Sequence, residues 1–131
     1  MAQLRLQLLG VPEISLDGRP AHPRRRSAVA LLAYLAVTGR THHRDLLAAL
    51  LAGDADEVRA QKHLSNALAE LRAVLGDRLV VGRETVALDR EGLYWLDVDA
   101  FEHCAAAAAE GDAGAAREAA ALYRGELLAG I

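Results

Sequence analysis

The sequence predicts a mixed α+β fold: a small N-terminal antiparallel sheet, three helices, a β-hairpin, and then a pair of short helices. Three observations predict it. Leu4, Leu6 and Leu8 alternate with Gln3, Arg5 and Gln7, the two-residue period of a half-buried strand. From about residue 25 to residue 75 the apolar residues form helical segments broken at Gly39 and Gly53. Leu79–Val81 and Thr85–Leu88 then flank Gly82-Arg83-Glu84, a hairpin pattern.

Each element follows in order. Gly10–Pro12 reads as a turn, Ile14 and Leu16 continue a second strand that Asp17-Gly18 closes, and a short third strand is expected near Ala21. The first helix is expected over Arg25–Val37; it is apolar almost all round and so belongs in the centre of the core. The second is expected from about His43 to Leu51, with Thr41 or His43 as its N-cap. Asp54 and Glu57 have the spacing of a capping box for the third, which runs 57–75 before Gly76 ends it. Its Leu64, Leu68, Leu71 and Leu75 share a narrow stripe flanked by Ala60 and Ala67. Its opposite face carries Arg59, Lys62, Asn66, Ala69, Glu70 and Ala73, with His63 and Ser65 at the margins.

Beyond the hairpin, Leu93–Val98 reads as extended, with Tyr94 and Trp95 at the joint between two domains. Asp99 and Glu102 have the spacing of a second capping box, opening an Ala-rich helix to about Glu110; Gly111–Gly114 breaks it, and another helix runs to about Tyr123. Two such short helices bury too little surface to stand alone. They read as the opening of a longer helical array, which divides the chain into residues 1–96 and residues 97–131.

Charge and composition narrow the function. The net charge of −3 is unevenly spread: residues 1–76 carry ten Lys/Arg against seven Asp/Glu, and residues 77–131 carry five against eleven. His22–Arg44 holds five arginines, three histidines and no acid. Such local basic surface, more than the total, decides attraction to phosphates. Residues 1–9 lack the pattern of a signal peptide, and the longest apolar run, Ala28–Val37, is too short to cross a bilayer. A cytoplasmic location with no membrane partner is expected. Cys104 is the lone cysteine, so neither an internal disulfide nor a thiolate metal cage can form.

Three helices followed by a hairpin, with basic residues before the first two and along the third, is the geometry of a winged helix-turn-helix that reads duplex DNA. The third helix, 57–75, is then expected in the major groove and the hairpin, 79–88, toward the minor groove. Arg59, Lys62, His63 and Asn66 are the candidate base contacts, since Arg and Lys donate to guanine O6/N7 and Asn pairs with adenine N6/N7. Arg24, Arg25, Arg26, His42, His43 and Arg44 are the candidate phosphate clamps, with Arg83 reaching the minor groove.

The residues also resemble a family. L6-Q-L-L-G-V-P-E-I-S-L-D-G-R-P20 and L31-L-A-Y-L-A-V-T-G-R40 resemble the N-terminal region of the Streptomyces antibiotic regulatory protein (SARP) family. A60-Q-K-H-L-S-N-A-L-A-E-L-R72 resembles its recognition helix, T85-V-A-L-D89 its wing, and W95-L-D-V-D-A-F-E102 the start of its bacterial transcriptional activator domain. L122-Y-R-G-E-L-L-A-G-I131 resembles a repeat motif of that second domain. The resemblance implies an OmpR/PhoB-type winged helix bound to repeated operator elements in double-stranded DNA, ahead of a tetratricopeptide-like effector region. RNA polymerase and a second copy of the chain on DNA are candidate further partners. Gln61, Ser65, Ala69 and Glu70 stand where relatives carry basic or larger polar residues, which implies lower affinity, and Leu51 stands where many have tryptophan.

Other readings compete. The three arginines at 24–26 and the outer face of the third helix also fit plain solvated surface. His42-His43, with His22 or His63, invites a metal site, but neighbouring helical histidines diverge and no carboxylate sits at ligand spacing, so no metal is expected. Cys104 beside His103 fits a small buried residue better than a thiol catalyst. No phosphate-cradling loop and no nucleophile motif is present, so neither a cofactor nor enzymatic activity is expected. The main alternative is a degenerate winged helix serving as a protein-interaction module of a larger signalling regulator, which Glu70 and the acidic C-terminal third favour.

Overall fold

The computed structural model describes residues 3–52, 56–89, 94–125 and 127. The chain divides into two compact units, Pro23–Glu91 on one hand and Met1–His22 with Gly92–Ile131 on the other.

The unit Pro23–Glu91 contains α1 (Arg26–Thr38), β4 (His42–His43), α2 (Arg44–Ala52), α3 (Glu57–Leu75), a 3-10 turn (Gly76–Arg78), β5 (Leu79–Val81) and β6 (Thr85–Leu88). α1 buries Ala28, Leu31, Leu32, Ala33, Leu35 and Ala36, so apolar residues surround most of its axis, as its composition requires. Gly39 ends it in the left-handed conformation (φ 64°) that glycine adopts without steric penalty, and its N–H donates to the Leu35 carbonyl at 3.1 Å.

His42 and His43 are not the start of a helix. They form a two-residue strand, His42 opposite Val86 and His43 opposite Thr85, in a sheet ordered β4-β6-β5. The physical reason is the edge of β6, whose backbone groups need partners that a short strand supplies. The Arg44 N–H continues the pairing to the Glu84 carbonyl at 2.9 Å, and α2 begins there.

α3 buries Ala60, Leu64, Ala67, Leu68, Leu71 and Leu75, the stripe expected from its period. Each fully buried leucine contributes about 1.5–3 kcal/mol, which fixes the rotation of the helix about its axis. Its N-cap is Asp56, whose Oδ1 accepts from the Arg59 N–H at 2.8 Å. The expected cap Asp54 lies outside the described residues. The hairpin of β5 and β6 pairs Leu79 with Leu88 and Val81 with Val86.

The second unit is built on β1 (Leu4–Gln7), β2 (Glu13–Leu16), β3 (Arg19–Pro20) and β7 (Tyr94–Leu96), followed by α4 (Asp97–Ala109) and α5 (Ala113–Leu122). β1, β2 and β3 pair antiparallel, and the β2–β3 turn is set by Asp17 and Gly18, both at positive φ (55° and 78°). The sheet is nevertheless mixed, because β7 pairs with β1 in parallel, Leu4 opposite Tyr94. This grouping crosses the 96/97 boundary read from the sequence.

α4 starts two residues before the expected Asp99. Asp97, only 1% exposed, accepts from the Leu8 and Leu9 N–H groups at 2.9 Å each, and so anchors the first turn of α4 at the end of β1. Leu96, not a polar side chain, occupies the N-cap position. The helix pair closes over Cys104, Ala115 and Ala119, with Phe101, Ala107, Ala108 and Leu122 against them. Asp112 caps α5 through the Ala115 N–H at 3.0 Å. Among the described residues no helix is long and apolar enough to cross a membrane.

Candidate nucleic-acid interface

The rotation of α3 decides which side chains face outward. With Leu64, Leu68, Leu71 and Leu75 buried, Arg59, Lys62 and His63 are exposed and Asn66 is half-buried. At 100° per residue these four fall within about 100° of arc, a single face on the N-terminal half of the helix. Arg59 lies against its own cap, its Nε 3.9 Å from Asp56 Oδ2. Both side chains are largely exposed, so that pair holds the arginine weakly and leaves it able to engage another anion.

On one flank, about 100° around the helix from Lys62, α3 reaches through Gln61 a polar cleft of about 500 Å³ lined also by His43, Arg44, Asp45, Arg83 and Glu84. It collects three candidates from separate elements: His43 of β4, Arg44 opening α2, and Arg83 at the hairpin tip. Gln61 faces α2, its Nε2 donating to Asp45 Oδ1 at 2.9 Å. In the sequence Asp45 has no assigned role, Gln61 is marked only as a departure from relatives, and Glu84 is placed only in the hairpin turn. Pairing of β4 with β6 brings His43 and Arg44 beside Glu84, and that pairing has no local signature.

His42 is a correction. Strand alternation turns it inward while His43 faces out, and only 7% of His42 is exposed. Its ring lies 4.8 Å from that of Tyr34, and its Nε2 is 2.7 Å from Thr38 Oγ1. Thr38 Oγ1 already donates to the Tyr34 carbonyl at 2.7 Å, so it accepts from a protonated Nε2. Desolvation, then the charge of Arg40, pushes the His42 pKa down. A buried, neutral ring with its Nε2 proton committed to Thr38 is no phosphate clamp.

The other flank of the α3 face meets the start of α1. Arg24, Arg25 and Arg26 are exposed there, and they are not free of acids as the sequence suggests. Glu70, one turn beyond Asn66, accepts through Oε1 from the Arg24 N–H and, at 3.1 Å, from the Arg25 N–H. Its Oε2 lies 3.5 Å from Arg25 Nε. α1 has no side-chain cap and no acid in its first turn, so a carboxylate from α3 does what its own sequence does not. A Glu whose partners lie 45 and 46 residues earlier leaves no local signal.

Among the described residues, no group of three or more His, Cys, Asp or Glu could hold a metal ion. In the other unit, Trp95 carries the Arg5 guanidinium 4.0 Å above its ring.

These elements in this order have a counterpart among solved structures. The chain shares its fold with EmbR. EmbR of Mycobacterium tuberculosis, solved in complex with a low-affinity phosphopeptide, superposes with a TM-score of 0.74 over 98% of this chain, at 23% sequence identity. The chain spans 38% of the length of EmbR. At that identity the likeness to EmbR concerns the fold alone. Neither a protein-family model nor a curated protein sequence matches the chain.

Proposed function

We propose that this chain binds double-stranded DNA in a sequence-specific manner, as part of a bacterial transcriptional regulator. The observation that carries it is the orientation of α3: four leucines hold one side in the core while Arg59, Lys62, His63 and Asn66 share the outward face. In this reading α3 lies in the major groove with its N-terminal half at the base edges. The β5–β6 hairpin acts as the wing, with Arg83 toward the minor groove, and His43 and Arg44 hold the phosphates between. Arg24 and Arg26 hold the backbone on the other flank. Residues 1–96 then form the DNA-binding module and residues 97–131 open a tetratricopeptide-like effector region, as in the SARP family that the sequence resembles. The fold shared with EmbR supports this; the phosphopeptide bound to EmbR does not carry over to a chain spanning 38% of it.

A second reading has its own observation. Acids interleave with the cations on both flanks, Glu70 at Arg25 and Asp45 and Glu84 around the cleft, which fits an interaction module of a larger signalling regulator. Fluorescence anisotropy with pooled random duplexes at about 50 mM salt separates the two. Binding to duplex in preference to single strands supports DNA recognition; no binding to either supports the interaction module.

A further inference from the structure

We propose that Glu70 sets the DNA affinity of this chain by keeping Arg25 engaged inside the protein, an inference that rests on the reading of α3 as the DNA-contacting helix. Helical arithmetic places Glu70 at the same outward side as Arg59, His63 and Asn66, eleven, seven and four residues further along α3. A carboxylate at that side repels phosphate unless donors engage it, and the backbone amides of Arg24 and Arg25 do so whatever side chain stands at position 25. Its two oxygens take the amides of Arg24 and Arg25 and the Nε of Arg25. These are donors of the type a backbone phosphate uses.

Burial shows which partner is the more committed. The Glu70 side chain is 20% exposed and that of Arg25 52%, so the carboxylate is seated and the guanidinium lies at the rim. Arg25 therefore stands beside the α3 face with its charge already matched. It releases few counterions when DNA binds, and Arg24 and Arg26 carry that flank. Glu70 acts through Arg25: it is a positioning residue that lowers affinity for all duplexes alike and leaves the preferred sequence unchanged.

Glu70→Gln tests this with little disturbance. The side-chain carbonyl of the introduced glutamine still accepts from the amides at 24 and 25, so the start of α1 keeps its cap, and only the ion pair to Arg25 is lost. Freed, Arg25 is expected to add one phosphate contact. The drop in affinity between 50 and 200 mM salt should then grow by about 3.5-fold, the effect of one extra contact. Arg25→Gln alone should change duplex affinity by less than about twofold, and Arg25→Gln/Glu70→Gln should lose the gain.

A gain that persists in the Arg25→Gln background overturns the inference, because Glu70 would then act as a bare charge. Unchanged or weaker binding by a folded Glu70→Gln protein overturns it as well, while duplex recognition by the native chain still stands. If Glu70→Gln fails to fold, Arg25→Gln decides: a loss above about fivefold with a flattened salt response overturns it, and near-native binding supports it. No duplex binding by native or variant protein overturns both the inference and the reading beneath it.

Discussion

The His42 ring donates through Nε2 to the Thr38 hydroxyl at 2.7 Å, tying β4 to the last turn of α1 beneath the hairpin. The pKa of His42 lies below its ordinary 6.5, first through desolvation and then through Arg40. Protonation is therefore easier in the unfolded chain. As the pH falls below 6.5 the unfolded state takes up a proton that the folded state refuses, so stability present above 6.5 declines toward the lower folded value. Denaturant melts between pH 5 and pH 7 should show this decline, and His42→Gln should flatten it. A native decline that is unchanged in His42→Gln places its origin elsewhere.

Asp97 anchors the other unit. Its carboxylate accepts from two backbone amides and is only 1% exposed, so removing it strands both donors. Asp97→Ala should lower the unfolding free energy by about 2–4 kcal/mol, and Asp97→Asn, which retains one acceptor, by less. Urea titration by circular dichroism measures both. A loss under about 0.5 kcal/mol for Asp97→Ala would mean that water replaces the carboxylate without penalty.

Cys104 should be inert. It is 8% exposed, its Sγ is 3.5 Å from Glu118 Oε2, and burial followed by the Glu118 hydrogen bond and charge pushes its pKa up. Reaction with a disulfide reagent at pH 8 should be at least about tenfold slower in the folded protein than in denaturant. Glu118→Gln should speed it. Equal rates in the folded and unfolded states would contradict the packing of α4 on α5.

If Arg24, Arg26, Arg44 and Arg83 neutralise phosphates, log K should fall with log salt with a slope of about −3.6. Arg44→Ala should flatten the slope by about 0.9 and weaken all duplexes alike. Anisotropy titrations at three or more salt concentrations check this. A slope near zero would remove the electrostatic basis of the interface.

Much of the fold was legible because it is local. The stripe of Leu64, Leu68, Leu71 and Leu75 repeats with the helix, and the 79–81 and 85–88 strands sit around a turn, so both appeared where expected. What was missed depends on pairing across distance. β4 is two residues long, too short to show alternation, so His42 and His43 looked equivalent when one is core and the other surface. β7 joins β1 in parallel across some ninety residues, and Asp97 falls in a stretch that reads as extended until its partners at Leu8 and Leu9 are seen. The same holds for the site: the outward residues of α3 follow from its period, whereas the Glu70 contact with Arg24 and Arg25 depends on how two helices cross.

Selection of binding sites from random duplexes, run side by side on the native chain and Asn66→Ala, puts the role of α3 to the test. The native chain should enrich a defined site, and Asn66→Ala should lose preference at a single base step, with a penalty of about 1–3 kcal/mol on the native site. No enriched site from the native chain, or an identical site from both proteins with equal affinity, would contradict base reading by the outward face of α3.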